Sequence, residues 1–90
     1  MEVNILKKEG NTLLVELKGE SETFANLIRE ELWNVKGVIE AAHIKEHPEL
    51  AEPKIWIKTD GLDPMEALKI AVENLLKKFE EIKKSYKKQL

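Results

Sequence analysis

Apolar and polar positions alternate where the chain begins: Val3 and Ile5 sit among polar neighbours, and Leu13, Val15 and Leu17 repeat the pattern after Glu9-Gly10-Asn11. A period of two is that of a strand with one buried face, and Gly-Asn between two such runs supplies a turn, so a two-stranded hairpin is predicted, ended by Gly19. The period then changes. Phe24, Leu27, Ile28, Leu32 and Val35 recur at helical spacing, with Ser21 placed to cap the N-terminus, Glu22 in the first turn and Gly37 fitting the stop. Residues 38–46 return to strand character, with Val38, Ala42 and Ile44 expected on one face. The stretch His47-Pro48-Glu49-Leu50-Ala51-Glu52-Pro53 reads as a loop by its two prolines, and Ile55 and Ile57 mark a fourth strand through Thr59.

The last element carries the most information. Asp60-Gly61 turns the chain, Asp63 can cap a helix, Pro64 suits its first position, and Glu66 can close a capping box. Met65, Leu68, Val72, Leu75, Phe79, Ile82 and Tyr86 then alternate by three and four, and Leu90 continues the series. Ala67, Ile70, Ala71 and Leu76 widen the apolar surface beyond a narrow seam, and no glycine or proline interrupts residues 65–90. A helix of about 26 residues spans roughly 39 Å, whereas strands of about seven residues cover some 23 Å. The sheet therefore has room for the first half of this helix. Its far end, with Phe79, Ile82 and Tyr86 still in apolar register, is expected to meet a partner helix; the plainer alternative is a helix that bends back on the core or frays.

The elements sum to an α/β (α+β two-layer) fold in the order ββαββα. A four-stranded, mostly antiparallel sheet is packed by two helices, the second long and amphipathic, and residues 1–90 are read as a single domain. A chain of this length buries only about 60–65% of its unfolded surface, so its stability alone is expected to be marginal.

Composition narrows the function. The chain has no cysteine, which excludes disulfides, thiolate catalysis and cysteine-ligated zinc. No apolar run approaches a membrane span of roughly 18 residues. Lys7, Lys8 and Glu9 interrupt any apolar region of a signal peptide, so a soluble, cytoplasmic protein is expected. A net charge of −2 argues against a domain that grips nucleic acid alone. Residues 77–88 nonetheless hold six lysines against two glutamates, which leaves residues 1–76 at −6. Lysines favour a helix C-terminus and a solvent face, which accounts for that run without a nucleic-acid contact.

No catalytic constellation emerges. His43 and His47 lie four apart, about 13 Å on a strand, too far to share one zinc at about 2 Å from each. Glu30-Glu31 and Glu80-Glu81 are adjacent on helices and point apart, which suits solvated faces better than paired acid–base groups. The four glycines are isolated, so no phosphate-cradling loop is present. Trp33 and Trp56 lack basic, aromatic-interleaved neighbours and read as core or interface residues, not base-stacking platforms. No catalytic, cofactor-binding or metal-ligating residue is assigned.

The stretch Thr23-Phe24-Ala25-Asn26-Leu27-Ile28-Arg29-Glu30-Glu31-Leu32 after a hairpin resembles the motif shared by the alpha-like subunits of DNA-directed RNA polymerases. Glu46-His47-Pro48, Pro53, Ile55 and Ile57 leading to Thr59, then Asp60-Gly61 and Asp63-Pro64 before a long helix, are similar to a second signature, that of archaeal subunit L. The resemblance covers nearly the whole chain in order. Phe24-Ala25, where eukaryotic versions usually read Leu-Gly, fits the archaeal form better. One position departs from the pattern: Glu22 stands where the family commonly has His, so whatever that His contacts is not carried over.

The resemblance implies a non-catalytic assembly subunit. It would form a heterodimer with the larger alpha-like subunit of the polymerase, giving a platform for the large catalytic subunits that hold the magnesium and the template. It implies a dimer interface drawn from Phe24, Leu27, Ile28, Leu68, Val72, Leu75, Phe79, Ile82 and Tyr86, with Arg29 placed to dock a large subunit. It implies neither cofactor, membrane nor specific nucleic-acid partner. Two other classes stay open from the residues alone. A self-associating ligand-binding or regulatory α/β module would show a stable homodimer and a pocket, and a small RNA-binding domain would show salt-dependent affinity from its lysine-rich end.

Overall fold

The computed structural model describes residues 2–44 and 52–89; the side chains of Tyr86 and Gln89 lie outside the description. The element order is β1 (Glu2–Glu9), β2 (Thr12–Lys18), α1 (Glu22–Leu32), β3 (Val38–Ile44), β4 (Lys54–Thr59) and α2 (Pro64–Gln89). This is the expected ββαββα arrangement. The part of the expected loop at residues 47–51, including His47, and the strand positions 45 and 46 fall outside the described residues, as does Leu90.

The strands form one sheet in the order β1-β2-β4-β3, with every pairing antiparallel. Both helices lie on one face. Leu13, Val15 and Leu17 of β2 and Ile55, Ile57 and Thr59 of β4 are fully buried beneath them, and register sets Leu13 opposite Ile57 and Val15 opposite Ile55. Strict alternation in both strands thus builds the floor of the core. Ala25, Ile28 and Leu32 of α1 and Ala67, Leu68, Ala71 and Leu75 of α2 close it from above.

The turns are held by specific groups. Ser21 Oγ accepts the Phe24 amide at 3.1 Å, capping α1, and Asp63 Oδ1 accepts the Met65 amide at 3.2 Å at the start of α2. Thr59, fully buried, donates its amide to the Asn11 carbonyl at 3.0 Å and its hydroxyl to the Leu62 carbonyl. The β1–β2 turn, the end of β4 and the entry to α2 are tied together there.

Three local expectations change. Helix α1 stops at Leu32, earlier than Gly37, because the Asn34 and Val35 amides take the tighter i−3 bonds to Glu31 and Leu32. Gly37 serves the next turn instead: its φ is +100°, and a Cβ there would lie 3.2 Å from Leu62 Cβ. In β3 the buried residue is Ala41, not Ala42. The register shifts between Val38 and Glu40, so Val38, Ala41 and His43 oppose Thr59, Ile57 and Ile55, while Ala42 and Ile44 turn to the open face. Finally, β1 is an edge strand that the helices leave largely bare, with Ile5 at 52% exposure although it opposes Val15.

These placements separate two strands that read alike in sequence. Leu13→Ala removes a fully buried side chain from the sheet floor and is expected to cost about 2–5 kcal/mol. Ile5→Ala, on the bare edge, should stay within about 0.5–1 kcal/mol. Urea unfolding followed by circular dichroism measures both; equal losses would mean that the helices cover β1 as fully as β2.

Candidate dimerisation surface

Helix α2 is anchored for half of its length. Leu75 is its last buried residue, and every described side chain from Leu76 onward is exposed. At 1.5 Å per residue, residues 76–89 carry the helix roughly 20 Å past its own core. On that overhang Leu76 is 54%, Phe79 40% and Ile82 61% exposed. The apolar register read from the sequence therefore continues in the structure as uncovered surface.

Helix α1 meets α2 at the point where the overhang starts. The Phe24 and Phe79 rings lie 6.3 Å apart at a 32° tilt, within the range of favourable aromatic pairs. Beside them Lys78 Nζ lies 2.6 Å from Glu31 Oε2. Glu31 is the one buried charged residue among those described, so the expectation that Glu30-Glu31 forms a solvated face is corrected. Helical geometry sends the two carboxylates apart as anticipated, but one of those directions is inward, toward α2. Lys78 is itself exposed, and its amine reaches in to meet that carboxylate. The two contacts fix how α2 leaves the domain.

At the other end of α1, Glu22 Oε2 lies 2.5 Å from His43 Nε2, two atoms shut off from solvent. The residue that departs from the family pattern thus links the helix start to β3. The histidine is a structural partner here, and no group of three or more metal-ligating side chains occurs among the described residues.

The structure sorts the sequence-derived surface residues into two sets. Ile28, Leu68 and Leu75 are buried at 0%, 3% and 5% exposure and serve the chain's own core. Phe24, Leu27 and Val72 are half-buried, packed against that core with one side still open, and Phe79 and Ile82 are exposed. The Tyr86 side chain falls outside the described residues. Arg29 is half-buried on the flank of α1, its Nε donating to Asn26 Oδ1 at 3.0 Å and its guanidinium 3.7 Å from Glu30. Sequence reasoning passed over Leu76 as interface surface, and it counted Trp33 and Trp56 as packing residues. Trp33 is 50% exposed at the end of α1, and Trp56 is half-buried on the open face between Leu14 and Ala42.

An exposed apolar stripe continuous with half-buried core residues is the kind of surface that another apolar surface can cover. No described helix is long and apolar enough to cross a membrane.

Comparison with known proteins agrees with this geometry. The family model for the RNA polymerase Rpb3/Rpb11 dimerisation domain matches residues 12–85. DNA-directed RNA polymerase subunit Rpo11 of Methanosarcina mazei is 38% identical over 81 residues, covering 90% of this chain and 88% of the relative. The Archaeoglobus fulgidus subunit Rpo11 is 40% identical over 76 residues, covering 84% and 88%. The crystal structure of DNA-directed RNA polymerase subunit L from Thermoplasma acidophilum superposes with a TM-score of 0.85 at 27% identity, covering 98% of this chain and 87% of that one.

The Glu31–Lys78 pair can be tested in the free chain. Lys78→Met leaves a buried carboxylate without its cation and should destabilise by about 1–3 kcal/mol. Glu31→Leu/Lys78→Met, which removes both charges, should recover most of that loss. Denaturant melts of the single and double variants give the comparison; an equally unstable double variant would show that packing, and not charge, holds this contact.

Proposed function

The chain belongs to the RNA polymerase Rpb3/Rpb11 dimerisation domain family, and on that premise we propose that it is a non-catalytic assembly subunit of DNA-directed RNA polymerase. It pairs with the larger alpha-like subunit, and the pair forms the platform on which the large catalytic subunits are mounted. The observation that carries this reading is the overhang: residues 76–89 hold apolar side chains that the chain's own sheet cannot reach. A like-folded partner supplies the missing cover, because its own long helix brings a matching stripe.

Phe24, Leu27, Val72, Leu76, Phe79 and Ile82 form the pairing surface in this reading. Ile28, Leu68 and Leu75 act behind it by holding the helices in place. Arg29, half-buried on the flank of α1 away from Leu27, stays outside that surface and is the contact to a large subunit. The chain contributes no group to nucleotide transfer: among the described residues, the buried Glu31 and Thr59 serve helix packing and turns. In the cytoplasm it acts only within the polymerase.

Co-expression with the larger alpha-like subunit is expected to yield a stable one-to-one complex. Phe79→Ala/Ile82→Ala should weaken that complex by about a hundredfold or more, since each truncation at a buried interface costs about 2–5 kcal/mol and 1.4 kcal/mol is about tenfold. The same variant should keep its fold when free and lose only about 1–2 kcal/mol, since Ile82 is exposed and Phe79 gives up its ring contact with Phe24. A variant that unfolds alone yet still binds would place these residues in the core and overturn the reading.

A further inference from the structure

The two edges of the sheet are built differently. Edge strand β1 carries Lys7 and Lys8 and a register shift in its middle, which keep other strands away. In β3 the shift lies at the start, between Val38 and Glu40, and leaves residues 41–44 regular, without lysine or proline. Backbone directions on this edge follow from the hydrogen bonds. The Thr59 amide donates to the Asn11 carbonyl at 3.0 Å, on the side of β2, so by alternation Lys58, Trp56 and Lys54 of β4 bond toward β3. Their partners Glu40, Ala42 and Ile44 turn their N–H and C=O groups inward. Ala41 and His43 are left with theirs pointing out of the sheet, and no described strand pairs with them.

Above this edge stands the flank of α1 turned away from α2. Glu22 reaches down from it to His43, and at 3.6 residues per turn Arg29 and Trp33 follow on the same side two and three turns later. The chain reverses between α1 and β3, so Arg29 stands over the middle of the strand and Trp33 over its start. Trp33 and, at the register shift, Ile39 are exposed there.

We propose that a large catalytic subunit docks by adding an extended strand to β3, paired through the backbone groups of Ala41 and His43. The inference deepens the reading of Arg29 as the large-subunit contact and rests on it. Outward backbone groups bond an extended chain but say nothing of its side chains; the α1 flank supplies that selection. Successive side chains of an added strand point to opposite faces. Those on the helix side come under α1, where Arg29 takes a carboxylate and Trp33 covers an apolar group. The others extend the row of Trp56 and Ala42 on the open face. The alpha-like partner is met by the overhang and the other flank of α1, so both neighbours can be held at once. A second copy joined edge to edge would instead set two Arg29-bearing flanks side by side, like charge against like charge.

Hydrogen exchange read by mass spectrometry on the reconstituted polymerase is the test. In the one-to-one complex with the larger alpha-like subunit, the Ala41 and His43 amides are expected to exchange quickly, and the Ala42 and Ile44 amides, bonded to β4, slowly. Addition of the large catalytic subunits should slow Ala41 and His43 at least tenfold, a change that side-chain contact alone would not produce. Ala41→Pro removes an outward amide and none of the bonds to β4. It should leave the one-to-one complex intact and weaken capture of the large subunits at least tenfold. Trp33→Ala, at an exposed position, should weaken capture with unchanged circular dichroism, and it serves if the proline disturbs the strand. Ala41 and His43 amides that stay fast in the complete polymerase overturn strand addition, as does undiminished capture by both variants. Amides already slow in the one-to-one complex, or in the concentrated free chain, give the edge to another occupant and overturn it too. A chain that never pairs with the alpha-like subunit sinks the functional reading instead, whereas a pairing chain whose β3 edge stays open sinks this inference alone.

Discussion

A helix of 26 residues resting on strands of six to eight residues is the constraint from which the other features follow. The sheet offers α2 a floor only as far as Leu75. Isolated helices of about a dozen residues are marginal in water, so residues 76–89 depend on the anchored half to nucleate them and on the absence of breakers to propagate. The lysines near the far end interact well with the helix dipole. The clamp of Phe24 on Phe79 and Glu31 on Lys78 sits where support from the sheet ends. That position fixes the direction of the overhang, so the stripe is presented as a rigid surface rather than a trailing segment.

The uncovered parts of the sheet differ in kind. The free edge at β1 carries Lys7 and Lys8 and a register shift between Ile5 and Lys7, devices that discourage strand-to-strand association. The open face mixes the row Leu14, Trp56 and Ala42 with the charged row Glu16 and Lys54, so its apolar area is interrupted. The α2 overhang has no such interruption along Leu76, Phe79 and Ile82. It is joined to the buried core through Phe24, Leu27 and Val72.

Element type and order were legible in the sequence because periods of two and of three to four leave distinct marks, and in β2 and β4 burial follows that alternation even where Leu14 and Trp56 put an apolar residue on the open face. The faces of β3 were not, since one extra residue near Ile39 reverses the alternation and nothing in the residue types announces the shift. The role of Glu31 was hidden for a related reason: adjacency shows that two carboxylates diverge, but only the position of α2 shows that one of them points at a lysine. For the proposed pairing surface, the sequence could not separate core residues from exposed ones. The α2 stripe is wide enough to serve two neighbours, and periodicity cannot divide the arc facing the sheet from the arc facing outward. Leu68 and Leu75 therefore looked like Val72 and Phe79 until the helix was placed. Subunit identity came from the resemblance over Thr23 to Leu32 and the downstream motif, and periodicity alone stopped at an overhanging helix.

Magnitudes explain why such a surface suits assembly. Full burial of Leu76, Phe79 and Ile82 is worth about 1.5–3 kcal/mol each, discounted because each is already partly covered. A domain of this size is stable by only about 5–13 kcal/mol in total. The apolar surface withheld from the fold is thus a sizeable fraction of the stability of the fold itself. Association costs several kcal/mol in lost freedom, so three side chains alone cannot hold a partner tightly, and the half-buried residues behind them must take part. Phe24, Leu27 and Val72 touch both the core and the free face, so a partner that covers them also tightens the packing beneath. Pairing and folding are linked in this way: whatever binds the native overhang stabilises the whole chain by mass action, and an unpaired chain keeps only the stability of its own small core.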